Sequence, residues 1–476
     1  MLVAILALPA FALTPSARLS AATTGAVRGP ALSFAAPTSA QQRTSPLYAS
    51  AGTTTMVAAA QEEPASTSLV GPIANLAKNI VGSGVLALAA GIAAFSGSKL
   101  ALLPSLCILL FTGALSAYTY SLIARVGSAV GSSTYRETWT KVFSEKTAFI
   151  PDLTVIFMTL VAGLAYSIIV GDMFSGISKL AGLPTALTSP NAWIGILSVA
   201  VLLPLSLMRD LSSLAVGSII GTAGTVYTML FIFLRLFDGS YAAGGKFHAL
   251  IDKSLQPAFA APTAARPLLN PGMFVLLSML SSAFLAHYNA PKQYEELAPP
   301  KTGSKLARFN IVVGAGFGFA ALLMGAIMAG GYLTFGAASQ GLILNNYATA
   351  DPLALVARLG IGLSIIFSYP LNFLGLREGL LTMLKLDGSK TAVHWGATLA
   401  LMVLMNGTAL FMKDLGLVVG LGGAILGSSL VYILPALMAI FEKGGALTTK
   451  AEKLANWGLA GLGIFFAALG SIMCLK

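Results

Sequence analysis

Lys78 stands four residues ahead of the triplet Gly82-Ser83-Gly84, inside an apolar run that begins near Leu69. Two glycines cost about 1 kcal/mol each relative to alanine in a helix interior, so the triplet predicts an interruption. In a bilayer such a break frees N–H and C=O groups that lipid cannot satisfy, and it is tolerated only where it lines a cavity within the protein. Half-helix ends near the bilayer midplane are where secondary transporters hold carboxylates and cations. The residues read as substrate contacts here are Asn79, Gly82, Ser83 and Gly84. Free amides of the triplet would receive a carboxylate, and Ser83 would add a hydroxyl. The competing reading is that the glycines merely let two helices pack closely. Lys78 lies about 18 Å along a helix that starts at the head of the run, where an unpaired charge costs several kcal/mol. Either it snorkels to a headgroup, or its ammonium takes the place of a cation beside the break and can bind and release a proton.

A second polar cluster, Ala286-His287-Tyr288-Asn289-Ala290-Pro291, interrupts another apolar run and predicts a second break. His287 is read as a substrate contact, against its reading as a satisfied interhelical partner. Phe284 is read as a pocket wall or gate, against plain packing, and Tyr166 as a side chain closing over the substrate. Ser364 and Ser368, spaced i, i+4, share a helix face. They are read with Lys78 as the coupling set for an ion or proton, although such serines often bond their own backbone. Arg209-Asp210 and Arg377-Glu378 read as helix ends and gate-like ion pairs, and Asp172 as a wetted residue near the end of its run. Gly314, Gly316 and Gly318 imitate a dinucleotide loop, but no strand precedes them. The sequon Asn406-Gly407-Thr408 falls within an apolar run. Cys107 and Cys474 read as small buried hydrophobes with no disulfide or metal role. There is no Ser/His/Asp set, metal-ligand cluster or nucleotide loop, so an enzyme is not expected, and no cofactor beyond a coupling sodium ion or proton.

The elements that must position these residues are membrane helices. Of 476 residues, 56% are hydrophobic and 9% charged, against roughly 25% charged in soluble domains, and mean hydropathy is +0.83. Spanning runs need about 20 apolar residues; they fall at about 69–95, 100–124, 152–176, 192–208, 212–236, 272–294, 309–334, 353–375, 391–412, 415–441 and 455–475. The runs are continuous, which excludes a β-barrel. With the first run entering from a face X, most loop lysines and arginines fall on X, making it the cytosol-like or stroma-like face; the opposite face is Y. The net charge of +11 is therefore loop charge, with no basic stripe for nucleic acid. The long connection from about 238 to 270 divides the first five runs from the next five, as an inverted repeat requires, with one helix to follow. Repeat 1 is placed at about 69–236, repeat 2 at about 272–441 and the extra helix at about 455–475, within a membrane domain of residues 66–476. Residues 1–65 form a targeting leader: a short apolar core to Phe11, then an acid-free stretch rich in Ala, Ser and Thr, with Glu62 the first acid. A two-part plastid presequence fits this pattern, and a disordered tail on an endomembrane or plasma-membrane protein is the alternative.

Laid out in this order, the chain from Leu69 onward resembles the amino acid/auxin permease family, including its sodium-coupled neutral and vacuolar members. Asn75-Leu76 with Ile80-Val81-Gly82-Ser83-Gly84 looks like the family's first-helix signature. Tyr166 to Asp172 resembles the end of its third helix, and Pro204 to Leu214 its fourth-to-fifth turn. His287-Tyr288 with Tyr294-Glu295-Glu296-Leu297 fits the sixth helix, Gly331 to Gly336 the seventh, and Val356 to Leu359 with Tyr369-Pro370 and Arg377 the eighth. The resemblance implies an all-α membrane protein of eleven helices in a leucine-transporter-type 5+5 inverted-repeat fold. It also implies amino acid transport driven by sodium or protons. Lys78 departs from the small amide that sodium-coupled members carry beside the break, which favours protons. Backbone groups and hydroxyls with no acid at the site point to neutral amino acids. The rival readings are a non-transporting amino acid sensor or scaffold, and a carrier of an auxin-like carboxylate.

Overall fold

The structure, a computed structural model, describes residues 68–209, 215–263, 267–300, 302–445 and 449–476, with the side chains of Ser83 and residues 215–220 left aside. The leader and Asp210 lie outside the described residues. The first span is α1 (Val70–Ile80), a 3-10 turn (Ser83–Ala87) and α2 (Leu88–Ala93), its two halves bent by 49°. Then come α3 (Leu102–Val130), a short surface helix α4 (Tyr135–Val142) that the sequence reading omitted, and α5 (Phe149–Leu180). The fourth span is α6 (Pro190–Leu197) and α7 (Leu203–Leu207) joined by a π turn ahead of Pro204, and the fifth is α8 (Ala215–Phe237). The sixth is α9 (Met273–Ala283), a 3-10 turn (His287–Asn289) and α10 (Ala290–Glu296). α11 (Lys305–Phe335), α12 (Pro352–Met383) and α13 (Thr391–Phe411) follow. The tenth span runs α14 (Leu415–Gly422), two π turns and α15 (Leu434–Phe441), and α16 (Lys450–Cys474) is the eleventh. Each expected run therefore holds a helix. Among the described residues nine helices are long and apolar enough to cross a membrane, or ten with the bent first pair, and α8 adds a shorter apolar one from Gly221.

Capping sets the helix starts. Ser304 accepts from the Ala307 amide, Asp351 from Leu353, Asp414 from Leu417 and Thr449 from Glu452, each supplying an acceptor to an otherwise orphaned N–H. Glycines set how closely helices approach. A Cβ at Gly316 of α11 would lie 2.9 Å from Leu76 of α1, and one at Gly224 of α8 would lie 3.0 Å from the Gly360 backbone of α12. Thus α11 seats against α1, α2 and α3, while α12 seats against α5 and α8.

Several expectations are corrected. The first break falls at Val81–Gly82, at the leading edge of the predicted triplet, with Ser83 and Gly84 already in the 3-10 turn. The second falls at Phe284–Ala286, and Pro291 opens α10 instead of breaking a helix, its missing N–H being unneeded there. Cys107 is exposed on the outside of α3, not buried; both cysteines are free thiols. Buried Arg377 does not pair with Glu378. It donates to the Ser206 carbonyl and the Thr398 hydroxyl, satisfying the end of α7.

Candidate functional site

The two broken spans meet beside a cavity of about 450 Å³. α1 ends with Val81 donating to the Ala77 carbonyl, and Gly82, in extended conformation (φ −100°, ψ −170°), turns the chain into Ser83–Ala87. The Gly82 amide turns back onto the Ile80 carbonyl at 2.9 Å, and the next amides, opening the turn, lack acceptors within it. The break therefore presents negative and positive backbone ends to one space. A Cβ at Gly82 would have no heavy atom within 4 Å, and one at Gly84 would meet only Val419, at 3.9 Å. Gly82 thus faces open space instead of a neighbouring helix.

Around the cavity stand Lys78 and Asn79 from α1, Met158, Thr159 and Tyr166 from α5, and Thr222 and Thr225 from α8. Ser282, Leu285 and Tyr288 of the sixth span, Ser364, Ser368 and Asn372 of α12, and Val419 of α14 complete it. The structure thus brings Lys78, Asn79, Gly82, Gly84, Tyr166, Ser364 and Ser368 to one wall-lined space. Ser364 reaches it because α8 carries glycine opposite: a Cβ at Gly221 would lie 2.4 Å from the Ser364 hydroxyl. Lys78 is half-buried, and among the described residues its ammonium makes no hydrogen bond or ion pair. No Asp or Glu is among the described residues of the wall. The lining runs from the middle of the spans towards their X ends, so face X is the open one.

Phe284 and His287 are not on that wall. Phe284 is fully buried, its ring against Gly113 of α3 and stacked on Phe317. His287, also fully buried, has Nε2 at 2.9 Å from the Thr119 hydroxyl and 3.1 Å from the Ser116 carbonyl. It joins the second break to α3 and sits edge-on to Tyr120.

Residues the sequence reading passed over complete the wall. Tyr288, next to His287, stands beside Tyr166. Thr222 and Thr225 are spaced i, i+3 on α8, and Asn372 extends the Ser364–Ser368 row by one more i+4 step. The signal was there: small polar residues at helical spacing within apolar runs. Asn372 is fixed by donating to the Thr159 carbonyl at 3.0 Å.

Comparison with known proteins agrees with this architecture. A family model described as transmembrane amino acid transporter protein matches residues 65–475. A Danio rerio protein, provisionally named sodium-coupled neutral amino acid transporter 11, is 26% identical over 86% of this chain and 86% of its own. The Arabidopsis thaliana amino acid transporter AVT6E is 23% identical over 85% of this chain and 83% of its own. Among solved structures, the inward-facing conformation of Mhp1 superposes with a TM-score of 0.51 at 13% identity, covering 86% of this chain and 89% of that one. That likeness fixes the fold as leucine-transporter-type.

Proposed function

Because the chain belongs to the transmembrane amino acid transporter family, we propose that it is a secondary active transporter of neutral amino acids, a proton symporter working by alternating access. It is a multi-pass membrane protein of a transporter family, not an enzyme. The observation that carries the finer reading is the half-open break of the first span on a cavity whose wall holds one ammonium and no carboxylate among the described residues. Amides at the head of the Ser83–Ala87 turn receive the substrate carboxylate. The carbonyl end of α1 and the hydroxyls of Tyr166, Ser364 and Ser368 receive its ammonium, and the apolar wall of Val81, Leu285 and Val419 suits an uncharged side chain. Lys78 holds the place of a sodium ion beside the first break, on the cavity that α1 and α12 share. A basic substrate would meet Lys78 with no acid to offset it.

The test is uptake of a panel of labelled amino acids into proteoliposomes under imposed sodium or proton gradients. Neutral amino acids are expected to accumulate with a proton gradient and to be indifferent to sodium, and Lys78→Met is expected to abolish accumulation. Sodium-dependent uptake that survives Lys78→Met overturns the reading. Binding without any flux would instead establish a sensor. The leader supports a plastid envelope address, which fluorescent tagging of residues 1–65 tests directly.

A further inference from the structure

Asp172 is an acid inside a membrane helix that the transport scheme above leaves unused. It lies on α5, six residues or about 9 Å beyond Tyr166 towards face Y. Its carboxylate is half-buried and accepts one hydrogen bond, from the Asn345 amide at 2.8 Å. Among the described residues no Lys, Arg or His nitrogen lies within 4 Å of it. The charged groups near it are otherwise engaged. Lys179, on the same helix, acts on it only through its field. Arg358 of α12, which packs on Gly176, spends its guanidinium on the carbonyls of Leu344, Tyr347 and Ala348. Asp351 is paired with Arg235, and Asp414 of the loop before α14 caps its own helix. Tyr347, from the same loop as Asn345, is buried among Phe231, Tyr241 and Phe335.

Asn345 belongs to a 3-10 turn (Ile343–Asn346) that plugs the Y side of the site. Ile343 packs where Gly331 of α11 and Ala89 of α2 leave room, and the turn touches Ser83–Ala87 of the first break. Asp172 therefore lies at the joint between a rigid helix and the plug over the substrate. Opening of face Y by parting the first span from the plug would bring water to the carboxylate. With face Y shut, as here, the carboxylate is half-buried with one amide donor, a poor exchange for full hydration of a charge.

We propose that Asp172 is the proton-binding site of the outer gate, taking up a proton from face Y as the plug closes over the substrate. This rests on the proton-coupled reading above and names where that proton binds. The carboxyl oxygen that accepts from Asn345 can do so in either state, so protonation changes the charge of the joint without breaking it.

The experiment uses the full chain in proteoliposomes with face Y outward and a labelled mixture of neutral L-amino acids as the probe. Wild type is expected to accumulate label when the outside is acid. Asp172→Asn, a permanent neutral mimic, is expected to lose that accumulation by about tenfold, within the range of coupling between linked sites, while still exchanging internal for external label. Asp172→Glu and Asn345→Leu cover the case of a poorly folding Asp172→Asn. Loss of the Asn345 donor removes support from the charged form, so half-maximal uptake moves to higher pH, and Asp172→Glu moves it as well. Gradient-driven accumulation by Asp172→Asn equal to wild type overturns the proposal, as does an unmoved pH midpoint in both other variants. Wild type that exchanges but ignores the pH gradient overturns the coupling reading itself, and the proposal with it.

Discussion

Two glycines of the first span should respond oppositely to the same substitution. At Gly82 the backbone is extended, a conformation any residue adopts, and a Cβ would meet no heavy atom within 4 Å. Gly82→Val should therefore fold with stability changed by no more than about 0.5 kcal/mol. Its three added carbons would intrude on the cavity of about 450 Å³ that Gly82 borders. They would also screen the amides at the head of the turn. A hydrogen bond to a charged group contributes about 1.5–3 kcal/mol, so apparent affinity should fall by about one to two orders of magnitude. At Gly91 of α2 a Cβ would lie 2.9 Å from Leu276 Cδ1, 3.1 Å from Met279 Sδ and 3.2 Å from Leu276 Cα. Gly91→Val should cost about 1–3 kcal/mol by overpacking and change transport per folded molecule far less. Thermal unfolding in detergent and uptake normalised to folded protein separate the two. Wild-type affinity in a well-folded Gly82→Val would refute the placement of substrate at the break.

Asp351→Asn should be among the most destabilising single changes on face Y. Fully buried Asp351 accepts two bonds from Arg235, at 2.8 and 2.6 Å, and one from the Tyr241 hydroxyl at 2.9 Å. Uncharged asparagine strands the guanidinium with partly exposed Asp238, at a cost of about 3–5 kcal/mol. Thermal unfolding measures it, and a loss below about 1 kcal/mol would show the pair to be dispensable. Gly423→Ala should loosen the sixth span from the tenth, because its Cβ would lie 1.8 Å from the Ser278 carbonyl, a rigid acceptor. A lowered melting temperature with the apolar substitution Ser282→Ala as a silent control is the expected result.

What the sequence carried legibly were features whose cost in lipid is large. Lys78 and the glycine triplet stood out because a charge or a broken helix mid-bilayer needs a cavity to excuse it, and the structure places a cavity there. Eleven apolar runs were readable because length alone decides whether a helix can span. Directions within a span were not. His287 and Phe284 sit next to the second break, yet turn towards α3, away from the cavity, because the 3-10 turn after Ala286 rotates Tyr288 inward in their stead. The π turns of the tenth span, Gly423–Gly427 and Ser429–Ile433, left no mark in composition. Asp172 looked like a wetted helix-end residue because the plug that covers it comes from a loop 173 positions further along.

The contacts on face Y also indicate how that face must open. The plug is tied to α12 by Arg358, which holds three carbonyls of the 344–348 segment, and Arg235 of α8 grips Asp351, the N-cap of α12. Such buried, directional contacts are costly to break singly. Towards α2 the plug offers Ile343, packed by Ala89 and Gly331, an apolar contact that slides without leaving an unpaired group, whereas Asn346 of the plug donates to the Ala338 carbonyl and accepts from the Gln340 amide just beyond α11. A strap from the long 238–270 connection joins α11 to the end of the first span: Ala258 donates to the Phe335 carbonyl, Ala337 to Ala258, and Ala260 to Gly97. The contact that parts at least cost is therefore the apolar one between the plug and the first span. Opening by that route wets the inner face of the plug, where Asn345 meets Asp172, and leaves the hydrogen bond between them intact.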